Sequence, residues 1–262
     1  MEQVSADRQE STKDAFHRGN FWLVQPARGA HRAGLDAMLL AAAVPTDFAG
    51  TVADFGAGAG AAGLAVVARC PQAHALLIER SPEMAGFARA GLSLEENGGL
   101  ARRATVIEAD LAAPAAERSA AGLTDNCADF IIMNPPFNDE RDHATTGALK
   151  RQAHVMEGEL WERWLRTAAS LAKPKAGLAL IARPASLPEI MPALKGRFGA
   201  AQLISLHPRE DRAAIRVIIR AWYGARGKLS VVPPLVIHGP SGNRFTARAD
   251  DLCNGAASLF GD

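Results

Sequence analysis

The feature that most constrains the fold of this chain is a regular alternation of apolar, strand-like segments with helical ones between residues 51 and 182. Ala128–Met133 is apolar apart from Asp129, which is typical of a parallel strand buried on both faces. Such alternation predicts an α/β fold with an open, mostly parallel, doubly wound sheet. The predicted strands are Thr51–Phe55, Ala75–Glu79, Ala104–Glu108, Ala128–Met133, Gly177–Ala182, Ala201–Leu206 and Ile215–Trp222.

The remaining segments predict the helices and the domain organisation. Helices are expected over about 34–43, 60–69, 82–97, 157–172 and 187–197. Residues 1–20 are polar and are expected to be frayed. Residues 21–262 are then expected to form a single domain that ends in a small hairpin built from Pro233–His238 and Arg244–Thr246.

Composition excludes several classes of protein. The chain is 48% hydrophobic and 22% charged, which is too apolar for a disordered protein. No window approaches the roughly 20 apolar residues that a membrane span needs, and the N-terminus lacks the apolar region of a secretory signal. The three cysteines are scattered, which fits neither a disulfide framework nor a zinc site. We therefore expect a cytoplasmic protein without a metal.

The net charge of +1 conceals an uneven distribution along the chain. Residues 190–249 contain ten Lys and Arg residues but only Glu210 and Asp211 as acidic ones. Such a basic segment indicates a polyanionic partner, or else arginines that decorate and protect a solvated sheet edge. Charge by itself does not decide between these two interpretations.

A glycine-rich turn follows the first predicted strand in the sequence Asp54-Phe-Gly56-Ala-Gly58-Ala-Gly60. Alternate glycines allow a tight turn and let a ligand approach the main chain. Glu79 ends the next strand about twenty residues later, where a carboxylate can bind both hydroxyls of a ribose. The turn and Glu79 together indicate a cofactor that contains adenosine, although the dinucleotide fingerprint also fits this pattern.

Asp110 and Asn134 follow the third and fourth predicted strands at the same edge of the sheet. Asp110 is expected either to meet an adenine amino group or to cap the next helix. Asn134-Pro135-Pro136-Phe137 forms a stiff rim, because each proline fixes a φ angle and removes an N–H donor. Its oxygen atoms suit an amine substrate, and the Phe137 ring can stack on a planar base, worth about 1–3 kcal/mol.

This Asn-Pro-Pro-Phe rim, together with the glycine turn, resembles the S-adenosylmethionine-dependent methyltransferases that modify amino nitrogens of planar groups. The lead-in Arg32-Ala-Gly-Leu-Asp36 is similar to that of the bacterial tRNA (adenine-N6) methyltransferase family specific for valine tRNA, although Ala33 and Leu35 depart from its usual Phe and Thr. The resemblance implies a Rossmann-like sheet of seven strands, mostly parallel with an antiparallel final strand, as in class I methyltransferases.

The resemblance also implies roles for individual residues. Asn134, Pro135, Pro136 and Phe137 would hold the amine acceptor and act in catalysis. S-adenosylmethionine would be held by Asp36, Asp54, Gly56, Gly58, Gly60, Glu79, Asp110 and Asn134. Phe137, Lys150, Arg151, Arg212 and Arg216 would contact the substrate, which the resemblance implies to be tRNA methylated at adenine N6.

Several alternatives remain open at this point. The acceptor can be guanine N2 in ribosomal RNA or a protein glutamine, although glutamine methyltransferases generally carry an N-terminal helical domain that the residues before Phe21 are too few to form. A nicotinamide dehydrogenase shares the glycine turn but has no use for the Asn-Pro-Pro-Phe sequence. A non-catalytic RNA-binding module would need only the basic segment.

Overall fold

The computed structural model describes residues 10–28, 32–135 and 147–262, with the backbone alone for residues 147–158. Its strands are β1 (Ser11–Phe16), β2 (Phe21–Pro26), β3 (Gly50–Phe55), β4 (Ala73–Glu79), β5 (Ala104–Glu108), β6 (Ala128–Met133), β7 (Ala172–Ala182), β8 (Phe198–His207), β9 (Arg216–Tyr223), β10 (Ser230–Val231) and β11 (Leu235–Val236). Its helices are α1 (Leu35–Ala41), α2 (Ala61–Arg69), α3 (Pro82–Leu92), α4 (Gly98–Ala101), α5 (Ala115–Ala120), α6 (Gly147–Leu171), α7 (Leu187–Leu194) and α8 (Ala247–Cys253).

In the described part of the chain, β3 to β11 form one sheet in the order β10-β8-β9-β7-β6-β3-β4-β5, with β11 also paired to β8. β9 runs antiparallel to both of its neighbours, whereas the other pairs are parallel. The prediction of a doubly wound, mostly parallel sheet with an antiparallel final strand is confirmed. The seven predicted strands are present, and the two-residue strands β10 and β11 extend the sheet beyond β8.

The sheet has a hydrophobic core on each face. On β6, Ile132 belongs to the core beneath α1 and α2, and Ile131 belongs to the core beneath α6 and α7. Neither side chain is exposed. Because successive residues of a strand point to opposite faces, a strand covered on both sides is apolar along its buried length. This explains the apolar run Phe130–Met133 of β6, whereas Asp129 near the start of the strand is only partly buried and accepts hydrogen bonds from the Thr51 N–H and the Lys173 ammonium.

The expectation that residues 1–20 are frayed is wrong for residues 11–19. Ser11–Phe16 is β1, which pairs antiparallel with β2 along its whole length, and a short 3-10 turn joins the two strands. Asp14 on β1 accepts hydrogen bonds from Gln25 and Arg32. The segment is polar because one face of the hairpin is solvated, and its pairing with β2 is what makes it a strand.

Several element boundaries differ from the predicted ones. α3 ends at Leu92 rather than near residue 97, and α6 begins at Gly147 rather than near 157. β7 begins at Ala172 and includes an exposed Pro174, which is tolerated outside the fully buried part of the strand. The expected terminal hairpin is reduced to one bridge between His238 and Phe245.

The C-terminal helix α8 was not predicted. Its N-cap is Thr246, whose side chain accepts a hydrogen bond from the Ala249 N–H, and it packs against α1 and β11. Among the described residues, no helix has both the length and the apolar character needed to cross a membrane.

Asn97 ties the N-terminal hairpin to α3. Its fully buried side chain accepts a hydrogen bond from the Trp22 N–H and donates to the carbonyl oxygens of Trp22 and Gly91. Asn97 therefore satisfies hairpin backbone groups instead of extending a helix.

We expect Asn97→Ala to lower the free energy of unfolding by about 3 kcal/mol, since three hydrogen bonds of roughly 1 kcal/mol each are lost. Urea denaturation measures this change. Asn243→Ala, at an exposed position, is the matched control and should change stability by less than about 0.5 kcal/mol. Equal effects of the two substitutions would contradict the anchoring role of Asn97.

Candidate active site

A cavity of about 570 Å³ lies at the carboxyl ends of β3, β4, β5 and β6. Open parallel sheets generally bind their ligands at this edge. Residues that follow each of these strands, the start of α3, two side chains of α6 and the end of the N-terminal hairpin surround it. The lining residues are Pro26, Arg28, Gly56, Gly58, Ile78, Glu79, Arg80, Ser81, Glu83, Met84, Ala109, Asp110, Leu111, Ala112, Asn134, Leu160 and Trp164.

The register of the central strands sets the geometry of the cavity. Phe55 on β3 pairs with Ile78 on β4 and with Met133 on β6. The residues that follow these three, Gly56, Glu79 and Asn134, are therefore side by side at one edge, with neighbouring strands about 4.8 Å apart. Two of the predicted cofactor residues, Gly56 and Glu79, and the predicted acceptor residue Asn134 are thus brought together.

The glycine turn adopts backbone angles that favour glycine. Gly56 has φ +68°, and a Cβ there would lie 2.9 Å from the Trp164 ring. Gly58 has φ +56° and a Cβ there would meet only the Met84 methyl group, at 3.6 Å. Gly60 has φ +91° and precedes α2, but it does not line the cavity. Gly56 and Gly58 therefore present main chain to a ligand, whereas Gly60 shapes the turn.

The Glu79 carboxylate is fixed by main-chain donors on both sides. One oxygen, Oε2, accepts a hydrogen bond from the Gly58 N–H at 2.9 Å, and Oε1 accepts one from the Ser81 N–H at 2.8 Å. A carboxylate has about four acceptor sites, so each oxygen retains capacity for one more donor. This arrangement suits the two hydroxyl groups of a ribose.

Asp110 lines the cavity and does not cap a helix. Its Oδ1 accepts a hydrogen bond from the Ala112 N–H at 2.8 Å, which closes a local turn. The N-cap of the next helix, α5, is Pro114. The interpretation of Asp110 as a helix cap is therefore wrong, and its exposed carboxylate remains available to a ligand.

Asp54 lies beneath the turn instead of in the cavity. Its carboxylate is 2% exposed and accepts a hydrogen bond from the Gly63 N–H in the first turn of α2 at 2.8 Å. Burial raises the pKa of Asp54 to about 7, the Gly63 N–H opposes that rise, and the charge of Glu79 adds to it. Asp54 was expected to hold the cofactor, but the structure places it where it anchors α2.

Asp36 and Arg216 do not line the cavity either. The Asp36 carboxylate at the start of α1 forms an ion pair with the Arg216 guanidinium at the start of β9, at 2.8 Å. Both side chains are about a quarter exposed. The two residues were predicted to contact cofactor and substrate, respectively, and they instead join α1 to the sheet.

The other predicted substrate residues are less closely placed. Arg212 is exposed in the loop between β8 and β9, and Lys150 and Arg151 lie in the first turns of α6. Pro135 is buried directly after Asn134, whereas Pro136 and Phe137 lie outside the described residues. Among the described residues, no group of three or more His, Cys, Asp or Glu side chains could hold a metal ion.

Sequence reasoning missed the contribution of α6 to this site. Trp164 and Leu160 form an apolar wall of the cavity, and the Trp164 ring meets Phe55 edge to face, with centroids 6.2 Å apart. One turn further, the buried Thr167 hydroxyl donates to the Leu111 carbonyl at 2.7 Å. The helix was predicted, but nothing in its sequence indicates which strand end its side chains reach.

Residues 31–205 match the methyltransferase small domain family. The chain belongs to this family. This methyltransferase is 41% identical to a protein from Agrobacterium tumefaciens that is described as a predicted O-methyltransferase; the match covers 86% of this chain and 98% of that one, with a TM-score of 0.74. No curated protein matches the chain.

More distant solved structures share the class I methyltransferase fold. One is the 16S rRNA N2 G1207 methyltransferase of T. thermophilus in complex with AdoMet and guanosine, at 19% identity and a TM-score of 0.55, covering 82% of this chain and 50% of that one. Another is M. jannaschii TYW2 in complex with AdoMet, at 10% identity and a TM-score of 0.56, covering 84% of this chain and 89% of that one.

The cofactor of this methyltransferase is S-adenosylmethionine. The cavity fits it, since main chain at Gly56 and Gly58, the free acceptor sites of Glu79 and the apolar wall from α6 offer partners to its methionine, ribose and adenine parts. The role of each residue in holding it remains a prediction.

We expect the stability of the folded protein to depend on Asp54 between about pH 4 and 7. In this window the folded state binds more protons at Asp54 than the unfolded state, because the pKa rises from 3.8 to about 7 on folding. The free energy of unfolding therefore falls as pH rises, by at most about 1.4 kcal/mol per pH unit.

Asp54→Asn removes this titration and should flatten the pH dependence measured by urea denaturation at several pH values. Asp125→Asn is the control, because Asp125 is exposed. An unchanged slope in Asp54→Asn would show that burial does not shift this carboxyl group.

We further expect Thr167→Val to weaken S-adenosylmethionine binding several-fold, since it leaves the Leu111 carbonyl unpaired beside Asp110. Thr167→Ser retains the hydroxyl and should restore the affinity. Isothermal titration calorimetry measures both variants, and wild-type affinity in Thr167→Val would contradict the link between α6 and the Asp110 loop.

Proposed function

We propose that this methyltransferase transfers a methyl group from S-adenosylmethionine to an exocyclic amine, with adenine N6 in tRNA as the acceptor. The observation that carries the proposal is the position of Asn134. It lines the cavity directly beside the glycine turn, because Met133 pairs with Phe55. An acceptor held at Asn134 would therefore lie next to the methyl donor.

Asn134 and Pro135 supply hydrogen-bond acceptors without supplying a base. The Asn134 side-chain oxygen and the Pro135 carbonyl can each accept one N–H of an amino group. Accepting both protons increases electron density on a nitrogen whose lone pair is delocalised into the ring. Pro135 is buried and precedes a second proline, which restricts its ψ angle and therefore the orientation of its carbonyl before substrate binds.

The reaction balances without a covalent intermediate. The amine nitrogen forms a bond to the methyl carbon while the carbon–sulfur bond breaks, and the new ammonium group then loses a proton to water. S-adenosylmethionine supplies a sulfonium whose leaving group is a neutral thioether. The contribution of this chain is to position the two reactants and to stabilise the developing charge on nitrogen.

The same geometry favours nitrogen over oxygen as the acceptor atom. A hydroxyl acceptor loses its proton as it reacts and needs a general base, which an amide side chain is not. The Agrobacterium protein is described as a predicted O-methyltransferase, so the acceptor atom is the point that an experiment must establish first. A guanine N2 acceptor uses the same hydrogen bonds and is the second candidate.

A nucleic acid acceptor is supported by where the basic segment lies. β8 ends and β9 begins at the edge of the sheet that carries the cavity, because β9 is antiparallel to β7. Arg209 and Arg212 in the intervening loop therefore lie at that edge. Not every arginine of the segment is available, however, since Arg220 is buried against Asp262.

We expect Asn134→Ala to reduce methyl transfer at least about 100-fold, the usual cost of removing a hydrogen bond that stabilises a transition state. S-adenosylmethionine affinity should change less than about threefold, because the ribose and adenine partners are untouched. Asn134→Asp retains two acceptor oxygens and should recover part of the rate.

The rate is measured with tritiated S-adenosylmethionine and, in separate reactions, bulk bacterial tRNA or ribosomal RNA. Digestion to nucleosides and mass spectrometry then identify the product. N6-methyladenosine supports the proposal, N2-methylguanosine in ribosomal RNA supports the second candidate, and a 2′-O-methyl nucleoside or a wild-type rate in Asn134→Ala overturns both.

A further inference from the structure

A second surface lies at the carboxyl edge of the sheet, on the side of β8 that faces away from β9. β11 pairs with the last two residues of β8, and the segment after β11 continues past that edge, with the His238 N–H donating to the Pro208 carbonyl at 3.0 Å. The sheet order from β6 through β7, β9 and β8 to β11 gives four steps of about 4.8 Å. The segment is therefore roughly 19 Å from Asn134 across the same edge.

Two aromatic rings are stacked on this surface. His238 and Phe245 are joined by an antiparallel bridge, and their rings are 5.3 Å apart at the centroids and tilted by only 13°. Phe245 is 36% exposed, and it is the one aromatic residue among the four large apolar residues that are exposed in the described part of the chain. One face of the ring lies against His238, so the exposed part of the ring can extend the stack.

Three arginines lie in the two loops that form this surface, Arg209 and Arg212 between β8 and β9 and Arg244 directly before Phe245. The Arg209 guanidinium donates to the carbonyl oxygens of Gly239 and Gly242, at 3.0 and 2.9 Å, and thereby fixes the loop before Phe245 to the loop after β8. Arg244 is exposed and forms no ion pair with any acidic residue in the described part of the chain. Arg212 is exposed, and its contact with Asp211, at 3.8 Å between two exposed groups, contributes little.

The surface is mixed in charge, because Glu210 and Asp211 lie in the same loop as Arg209 and Arg212. A ligand attracted by charge alone would gain little here. A ligand that has both a flat ring and a nearby negative charge fits better, since it can stack on Phe245 and place its charge on Arg244. Nucleotides have this combination, and single-stranded RNA presents it repeatedly.

We propose that Arg209, Arg212, His238, Arg244 and Phe245, the Phe245 surface, bind an unpaired stretch of the RNA acceptor a few nucleotides from the methylated base. A base stacks on Phe245, and its flanking phosphates contact Arg244 and Arg212. Arg209 acts as a positioning residue that holds the loop. This inference rests on the proposed function, because it requires an RNA acceptor.

The aromatic contact is tested with Phe245→Leu, which keeps an apolar side chain against His238 but removes the flat ring. Binding of a fluorescein-labelled, unstructured 12-nucleotide RNA is measured by fluorescence anisotropy. We expect the affinity to fall about 5- to 100-fold, the range for loss of one base stack. Phe245→Tyr should restore it.

The charge contact is tested with Arg244→Glu against Arg226→Glu. Arg226 is also exposed, but it follows the end of β9 and so lies at the opposite edge of the sheet. Arg244→Glu should weaken RNA binding and lower the slope of log affinity against log salt by about one, whereas Arg226→Glu should change neither. All four variants should bind S-adenosylmethionine as the wild type does.

The outcomes separate this inference from the proposed function. Wild-type RNA affinity in both Phe245→Leu and Arg244→Glu overturns the Phe245 surface, even if tRNA is methylated at adenine. Equal losses in Arg244→Glu and Arg226→Glu also overturn it, because binding would then follow overall charge. If the wild type methylates no RNA and binds the labelled RNA no better than Phe245→Leu, the RNA acceptor and this surface are both wrong.

Discussion

The hydrogen-bond ladder that holds β3 between β4 and β6 is the constraint on which the active site depends. It aligns Phe55 with Ile78 on one side and with Met133 on the other. The next residues on the three strands, Gly56, Glu79 and Asn134, are therefore side by side as a result of backbone pairing alone. A shift of one residue in either register would turn Glu79 or Asn134 toward a hydrophobic core, because successive side chains of a strand face opposite ways.

Polar contacts near the site then fix the loops that the ladder leaves at this edge. The Glu79 carboxylate joins the glycine turn to the start of α3, and the Thr167 hydroxyl joins α6 to the loop after β5. Asp54 anchors α2 from below, at the cost of burying a carboxyl group. Each bond satisfies a backbone group that would otherwise be unpaired. The cavity is therefore shaped largely before a ligand enters it.

Much of this site was predictable from the sequence, for reasons that particular residues illustrate. Ala128–Met133 is apolar at every position except Asp129, which identifies a strand buried on both faces and places Asn134 at its end. The glycine turn and Glu79 are recognisable because the distance between them in the sequence is the length of one helix and one strand, here α2 and β4. The ion pair between Asp36 and Arg216 was not predictable, because a charged residue near a motif can equally bind another residue, here each other across 180 positions.

The sequence by itself determined the strand–helix alternation, the class of sheet and the identity of the residues at the strand ends, since these depend on local periodicity and short motifs. Only the tertiary structure decided that Trp164 and Thr167 reach the cofactor side, that β1 is ordered by β2, and that His238 and Phe245 stack at an exposed edge. These contacts join residues distant in the chain or depend on solvent exposure. Local sequence does not reveal which distant residues meet or which side chains stay exposed, because the packing of the helices and strands against one another determines both.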